Sequence, residues 1–167
     1  MVYGSFDDAS REYVICRPDT PSPWINYLGN EDFFTLISNT SGGYSFYKDA
    51  RLMRLTRYRY NNAPRDLGGQ YFYIKEGETV WNPGWMPTRT PLDRYECRHG
   101  LGYTIIQGGK NGLVARQTSL VPLGHNALVT RLEIVNQSDS AKSFDLFSSV
   151  EFCLWNALDD ATNFQRN

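Results

Sequence analysis

Apolar and polar positions alternate along this chain in short runs, and almost nowhere do they recur at helical spacing. Glu12–Cys16 is β-branched and aromatic and reads as a strand. Arg17–Pro23 stops it, because Pro18, Pro21 and Pro23 forbid helix there. Phe33–Ser38 is a second predicted strand, ended by the turn Ser41-Gly42-Gly43, and Tyr44–Tyr47 alternates again. Leu52–Tyr60 carries Arg54, Arg57 and Arg59 out of step with clean alternation, and fits either a strand of open register or a short helical turn. Tyr71–Ile74 lies between Gly68-Gly69 and Glu76-Gly77-Glu78, which is a hairpin-like boundary. Trp81–Pro91 holds Pro83, Pro87 and Pro91 and reads as loop.

The second half is more regular. Tyr95–His99 and Tyr103–Gln107 are predicted strands, Gly108–Gly112 a turn in which Asn111-Gly112 supplies positive φ, and Leu113–Pro122 the strand that pairs back. Asn126–Asn136 alternates, Gln137–Ala141 turns, and Lys142–Leu154 returns as one further strand. No segment has the long amphipathic pattern of a helix, and no repeat, linker or low-complexity run interrupts the series. Short strands spaced by Gly and Asn turns predict an all-β, antiparallel β-sandwich. The last predicted strand runs into the polar stretch Asp159–Asn167 with no partner after it. The sandwich is therefore expected to be incomplete and the chain to be part of a longer one.

Composition narrows the function classes. With 167 residues, 41% hydrophobic and 21% charged, the chain has material for one packed core, which excludes disorder as the default. A net charge of -1 gives no electrostatic footprint for nucleic acid. No apolar run is long enough to span a membrane, and Met1–Asp8 lacks the basic and apolar regions of a secretory signal. Cys16, Cys97 and Cys153 are odd in number and far apart, so free thiols in a reducing cytoplasm are expected, with neither a disulfide framework nor a metal cluster. Aromatics reach 14%, which suits sheets and also suits stacking on the apolar faces of sugar rings.

Candidate chemistry is sparse. Asp7-Asp8 and Asp159-Asp160 are adjacent pairs. Neighbours on a strand point to opposite faces, so neither pair can flank one glycosidic bond, and turn or cap acids are expected. His99 has no nucleophile motif beside it and reads as a structural histidine at a strand end, while His125 follows a turn glycine. Arg54, Arg57 and Arg59 fit a solvated or interface face better than a phosphate cradle. Trp155, Asn156, Asn163, Gln165 and Arg166 bring an indole, three amides and a guanidinium into one stretch. Amides match the donor–acceptor duality of sugar hydroxyls, and arginine adds a fixed fork of donors. A sugar contact and a loop that satisfies its own backbone both remain open for this set.

Several longer motifs carry a resemblance. Tyr3–Asp8, Arg11–Ile15, Pro23–Gly29, Gly42–Tyr47, Leu55–Asn62, Arg98–Tyr103, Val150–Ala157 and Thr162–Asn167 together resemble the start of the cellobiose phosphorylase family, glycoside hydrolase family 94, formerly glycosyltransferase family 36. The resemblance spans essentially the whole chain, and the ending Thr162–Asn167 is similar to the cellobiose enzymes within that group. It implies that 1–167 is the N-terminal part of a supersandwich-type β-sandwich domain, with a helical linker and an (α/α)6 catalytic barrel absent from this chain. It implies a cytoplasmic homodimer that carries out reversible, inverting phosphorolysis of cellobiose to α-glucose 1-phosphate and glucose. No metal or organic cofactor is implied, inorganic phosphate being the co-substrate. The general-acid aspartate would lie in the barrel, so no catalytic residue is expected here. By position, Gln165 and Arg166 would contact the acceptor glucose, and Asn156 and Asn163 would lie near its entrance. The competing expectation is a stand-alone carbohydrate-binding or structural sandwich without catalysis.

Overall fold

The computed structural model describes residues 2–58 and 68–162. In chain order its elements are β1 (Gly4–Asp7), β2 (Glu12–Ile15), β3 (Ile25–Gly29), β4 (Phe33–Ser38), β5 (Gly43–Tyr47), β6 (Arg54–Thr56), β7 (Gln70–Glu76), β8 (Thr79–Trp81), β9 (Arg94–His99), β10 (Tyr103–Lys110), β11 (Leu113–Leu120), β12 (Val129–Asn136), β13 (Asp145–Val150), β14 (Phe152–Trp155) and α1 (Ala157–Thr162). Every strand pairing among them is antiparallel.

One layer is a six-stranded sheet in the order β1-β2-β9-β10-β11-β12. Its central hairpin follows directly from sequence. Lys110 pairs with Leu113, leaving Asn111 (φ 51) and Gly112 (φ 83) as a two-residue loop. Positive φ at both positions matches the right-handed twist of the flanking strands.

The facing layer is made of β14-β6-β5-β4-β3 and β13-β7-β8. These two groups meet where β7 takes over the place of β6. Gly69 bridges to Gly42 and Gly68 to Tyr58, so the start of β7 lies beside the start of β5. Along the outside, β13 and β14 act as one edge. Val150 pairs with Gln70 of β7, then the Arg57 amide donates to the Glu151 carbonyl (2.9 Å), and Phe152 pairs with Thr56 of β6.

Ile74, Trp81, Leu113 and Ala115 are fully buried between the layers, with Leu132, Ile134 and Phe144 against them. Ile15, Cys97 and Ile106 form a second cluster under Tyr13, Trp24 and Tyr95. Polar pins also cross the gap. The Asn26 amide donates to the Gly100 and Tyr103 carbonyls at 2.8 and 3.0 Å, and the Ser41 hydroxyl donates to the Gln117 side-chain oxygen.

The all-β antiparallel expectation is met, with instructive differences. Lys142–Leu154 is not one strand returning beside Asn126–Asn136. It crosses to the other layer and splits into β13 and β14, because Phe144 inserts against the Ile74–Trp81 core and carries the chain over. The strands β1, β3 and β8 are short and were not marked by alternation. Gly108 and Gly109 belong to β10 rather than to a turn. A side chain at Gly108 would meet the Pro83 backbone at 2.6 Å, so this glycine serves the close approach of the proline-rich loop. One short helix, α1, is also present.

The hand-over between β6 and β7 generates a prediction. Gly43 has φ 143, and a Cβ there would collide with the Leu36 carbonyl. Gly43→Ala is expected to cost at least about 2 kcal/mol, from strain plus displaced backbone. Gly102→Ala, whose Cβ meets nothing within 4 Å, is expected to stay within about 0.5 kcal/mol. Urea unfolding of both variants checks this, and equal midpoints would show that the crossing is not under constraint.

Candidate functional site

The residues singled out for sugar contact lie at and beyond the end of β14. Asn163, Gln165 and Arg166 lie outside the described residues, as does Arg59. Asn156 is described and is exposed. Its side-chain oxygen accepts from the amides of Leu158 (3.0 Å) and Asp159 (3.1 Å), so it is the N-cap of α1. Just before it, Trp155 has φ 93 and is 55% exposed, and this left-handed residue ends the strand and leaves the indole largely in solvent. The structure thus brings Trp155 and Asn156 together at the strand-to-helix junction.

Two contacts hold that junction in place. The Ala157 amide donates to the Arg51 carbonyl (2.8 Å). Asp160 accepts from Arg57 in a fork, with Nη2–Oδ1 at 2.7 Å and Nε–Oδ2 at 3.1 Å. Their side chains are only 12% and 9% exposed. The Asp160 hydrogen bonds raise the Arg57 guanidinium above its ordinary range, against the opposing effect of burial. A bidentate, nearly buried pair of this kind fixes orientation as well as charge.

This corrects the solvated-face expectation for the arginines. Arg54 is buried, its guanidinium lies 3.8 Å from the centroid of the Tyr44 ring, and Nε donates to the Ala50 carbonyl (2.9 Å). Arg57 is committed to Asp160. The out-of-step arginines in 54–57 are internal anchors, and alternation could not reveal it because their partners lie on β5 and α1.

The other candidates are structural. The Asp7 carboxylate accepts from the Ala9 and Ser10 amides in a turn, as expected of a turn acid. At His99, Nε2 lies 3.0 Å from the Trp24 carbonyl, which only accepts, so Nε2 carries the hydrogen. Nδ1, 3.0 Å from the Thr104 hydroxyl, then accepts from it. Burial pushes the imidazole below its ordinary value, with the Trp24 bond opposing, and the ring is neutral. Burial likewise pushes the Cys97 and Cys153 thiols up, which suits neither to nucleophilic work.

A further cluster escaped sequence reasoning. Glu12 is 6% exposed and accepts from Tyr103 (2.6 Å), Arg98 (2.8 Å) and Ser10 (2.9 Å). Burial pushes its carboxyl up, and these three bonds more than offset that, leaving it below the usual range. Arg98 also holds Glu96 (2.7 Å). Arg98 also reaches Asp7 (3.4 Å), so one guanidinium holds three carboxylates and the network pins β1–β2 to β9–β10. The signal was the polar Glu12 opening an otherwise apolar strand.

A cavity of about 270 Å³ lies between the layers, walled by Phe33, Ile37, Leu55, Leu128, Val150 and Phe152. Its polar lining is neutral. Ser119 faces Thr130 (3.3 Å), Thr130 donates to Gln70 (3.3 Å), and Ser45 donates to Thr35 (3.0 Å). Hydroxyls and amides in mutual hydrogen bonds offer no acid or base. Among the described residues no group of His, Cys, Asp and Glu stands close enough to hold a metal ion, and no helix is long and apolar enough to cross a membrane.

Comparison with known proteins gives the chain its kin. The family model described as glycosyl hydrolase 94, supersandwich domain, matches residues 11–167. An N,N'-diacetylchitobiose phosphorylase from Vibrio furnissii is 44% identical over 99% of this chain and 21% of its own length. Its counterpart from Vibrio proteolyticus is 43% identical over the same shares. A solabiose phosphorylase from Paenibacillus borealis is 32% identical over 91% of this chain and 20% of its own length. The chain therefore spans about a fifth of the length of the curated relatives it matches.

Two predictions come from these contacts. Arg57→Ala strips a nearly buried Asp160 of its partner and is expected to destabilise the fold by about 3 kcal/mol in urea titrations. Asp160→Asn, which keeps an acceptor but removes the charge, should cost less. For His99, the unfolded chain binds a proton more readily than the fold, so stability is complete above the ordinary imidazole value of 6.5 and falls as pH drops below it. His99→Gln is expected to flatten the change in urea midpoint between about pH 7.5 and about pH 5. An unchanged slope would assign that pH dependence elsewhere.

Proposed function

The chain belongs to the glycosyl hydrolase 94 supersandwich family, and from this we propose that it is the leading, sugar-gripping part of an inverting disaccharide phosphorylase that acts on cellobiose. The observation that carries the reading is its 44% identity, over 99% of the chain, with a disaccharide phosphorylase. The choice of cellobiose rests on the resemblance of Thr162–Asn167 to the cellobiose enzymes. The same 44% identity favours N,N'-diacetylchitobiose as a second reading.

In this reading the helical linker, the (α/α)6 barrel and the general-acid aspartate belong to the rest of the polypeptide. Phosphate attacks the anomeric carbon from the face opposite the leaving group. The new bond to the phosphate oxygen forms as the bond to the leaving sugar breaks. The carboxylic acid delivers its proton to the departing oxygen, and α-glucose 1-phosphate and glucose result. One acid suffices, because phosphate takes the place of a base-activated water. The protein works as a cytoplasmic homodimer with no metal or organic cofactor.

The part played by this segment is positioning. Arg166 and Gln165 hold the acceptor glucose by matching its hydroxyls with a donor fork and an amide. Asn156 and Asn163 line the entrance, and the Asn156 cap keeps α1 at a fixed angle to Trp155. Holding the leaving sugar orients the scissile bond without moving a proton. This fits a segment in which Glu12 and Asp160 are already paired and the buried His99 is neutral.

The test uses the product of the complete coding sequence. It is expected to release glucose 1-phosphate from cellobiose and phosphate. Arg166→Ala should raise the KM for acceptor glucose by at least about tenfold in synthesis, while the KM for glucose 1-phosphate stays within about twofold. Equal losses on both substrates would remove Arg166 from the acceptor site. N-acetylglucosamine 1-phosphate from diacetylchitobiose, with cellobiose inert, would establish the second reading. Sugar binding without any turnover would favour the stand-alone binding sandwich.

A further inference from the structure

The loops that lead into β3 and β9 face each other beyond the Ser38 end of β4, and a cleft of about 270 Å³ opens between them. Asp19, Thr20 and Pro21 line it from one loop, Trp85 and Arg89 from the other, with Asn39 between them. Both loops are set from beneath by buried amides. The Asn39 side chain, 0% exposed, donates to the Pro18 carbonyl (3.1 Å) and accepts from the Trp24 amide (3.1 Å). The Asn82 side chain, 1% exposed, donates to the Met86 carbonyl and accepts from the Thr88 hydroxyl (3.0 Å). Gly84 lies so near the other loop that a Cβ there would meet the Thr40 carbonyl at 2.6 Å.

On that frame Trp85 (φ 72) and Arg89 (φ 54) both take the left-handed backbone that bulky side chains avoid. The Arg89 amide donates to the Trp85 carbonyl (2.7 Å), Nε donates to the Met86 sulfur (3.3 Å), and the guanidinium lies 5.8 Å from the Trp85 ring centroid. Core packing does not account for two strained residues here, because Trp85 is half-buried and Arg89 exposed. Such strain persists where the surroundings hold it, and it gathers at ligand sites.

The lining selects the ligand. An indole face and a proline ring offer the apolar surface that the C–H side of a sugar ring packs against. Arg89 adds a fork of donors. Asp19 accepts from the Arg17 Nε at 3.0 Å, and a carboxylate has lone pairs for further donors. The charged lining residues are one acid and one base, which favours a neutral partner over an ion. The volume lies just under the usual range for drug-sized ligands and suits one ring.

We propose that this cleft binds a single neutral pyranose ring, its C–H face on Trp85 and its hydroxyls on Arg89 and Asp19. The proposal goes beyond the phosphorylase reading and does not depend on turnover. It concerns the opposite end of the layer from the Trp155 junction. Trp155 pairs with Arg54, Arg54 with Phe46, and Phe46 with Phe34 near the start of β4. The cleft lies past the end of that strand, about 13 Å further along.

Fluorine NMR on the product of the complete coding sequence, labelled with fluorotryptophan, tests the proposal. The Trp85 signal is the one absent from Trp85→Phe. Methyl β-glucopyranoside is expected to shift it saturably, with a Kd on the order of 1 mM. Arg89→Ala and Asp19→Ala should each weaken that binding by at least about tenfold. Both side chains are exposed, which spares the fold. The shift should persist in Arg166→Ala. A signal unmoved at about 50 mM glycoside overturns the proposal. A shift caused by sodium sulfate and not by the glycoside overturns it in favour of an anion site. A shift lost in Arg166→Ala overturns it too, since Trp85 would then only report on the acceptor. Phosphorolysis is read separately. Turnover with an unmoved Trp85 signal sinks the cleft alone, and a titrating cleft without turnover sinks only the functional reading.

Discussion

The point on which this fold turns is the place where β7 replaces β6. A sheet strand cannot change identity without a gap unless two backbones approach closely enough to share partners. Here Gly42, Gly43, Gly68 and Gly69 meet, and no side chain intervenes. That contact lets β13 and β14 run as one edge along two successive partners. It also sets the cavity, since Gly43 and Gly69 line its floor while Gln117 and Ser119 of β11 line its roof. Packing the facing layer against the six-stranded sheet therefore follows from a local steric permission, with buried Ile74 and Trp81 supplying the apolar driving force.

Charge is managed with the same economy of exposure. Two strongly buried carboxylates have partners on different elements: Glu12 with Arg98 and Tyr103, and Asp160 with Arg57. Removing water from such groups is costly unless hydrogen bonds replace it, and here they do. The consequence for function is direct. A carboxylate saturated by three donors, or a histidine held neutral between a carbonyl and a hydroxyl, is a poor proton carrier. The exposed indole of Trp155 at the junction is the kind of ring that presents a surface to a ligand.

Much of the fold was legible from alternation and turn chemistry. The Asn111-Gly112 hairpin, the Tyr71–Ile74 strand before the Gly77 turn, and the Phe33–Ser38 and Tyr44–Tyr47 pair all follow from local rules. What alternation could not show is which sheet a strand joins. Lys142–Leu154 looks like a returning hairpin arm, and only the burial of Phe144 between the layers sends it across. Glycines in 108–109 read as turn residues although they answer to a backbone packed against them. For the candidate site, residue types singled out the stretch around Trp155 and Asn156, but Asn156 as a cap and Asp160 as the mate of Arg57 need the third dimension. Arg57 and Asp160 are far apart in sequence, and no local pattern links them.

These strands connect the edge to the site. Residues 145–162 are a single path: edge strand, bulge at β14, the left-handed Trp155, the Asn156 cap, then α1 clamped by Arg57. The clamp fixes α1 against β6, but the strand that feeds it is paired along one side only among the described residues. A strand held on one side is free to fray, and fraying at β14 would swing Trp155 and α1 together. Pairing along the outer edge would remove that freedom. The Arg57–Asp160 fork is thus the joint between the β14 edge and the junction that carries Trp155 and Asn156.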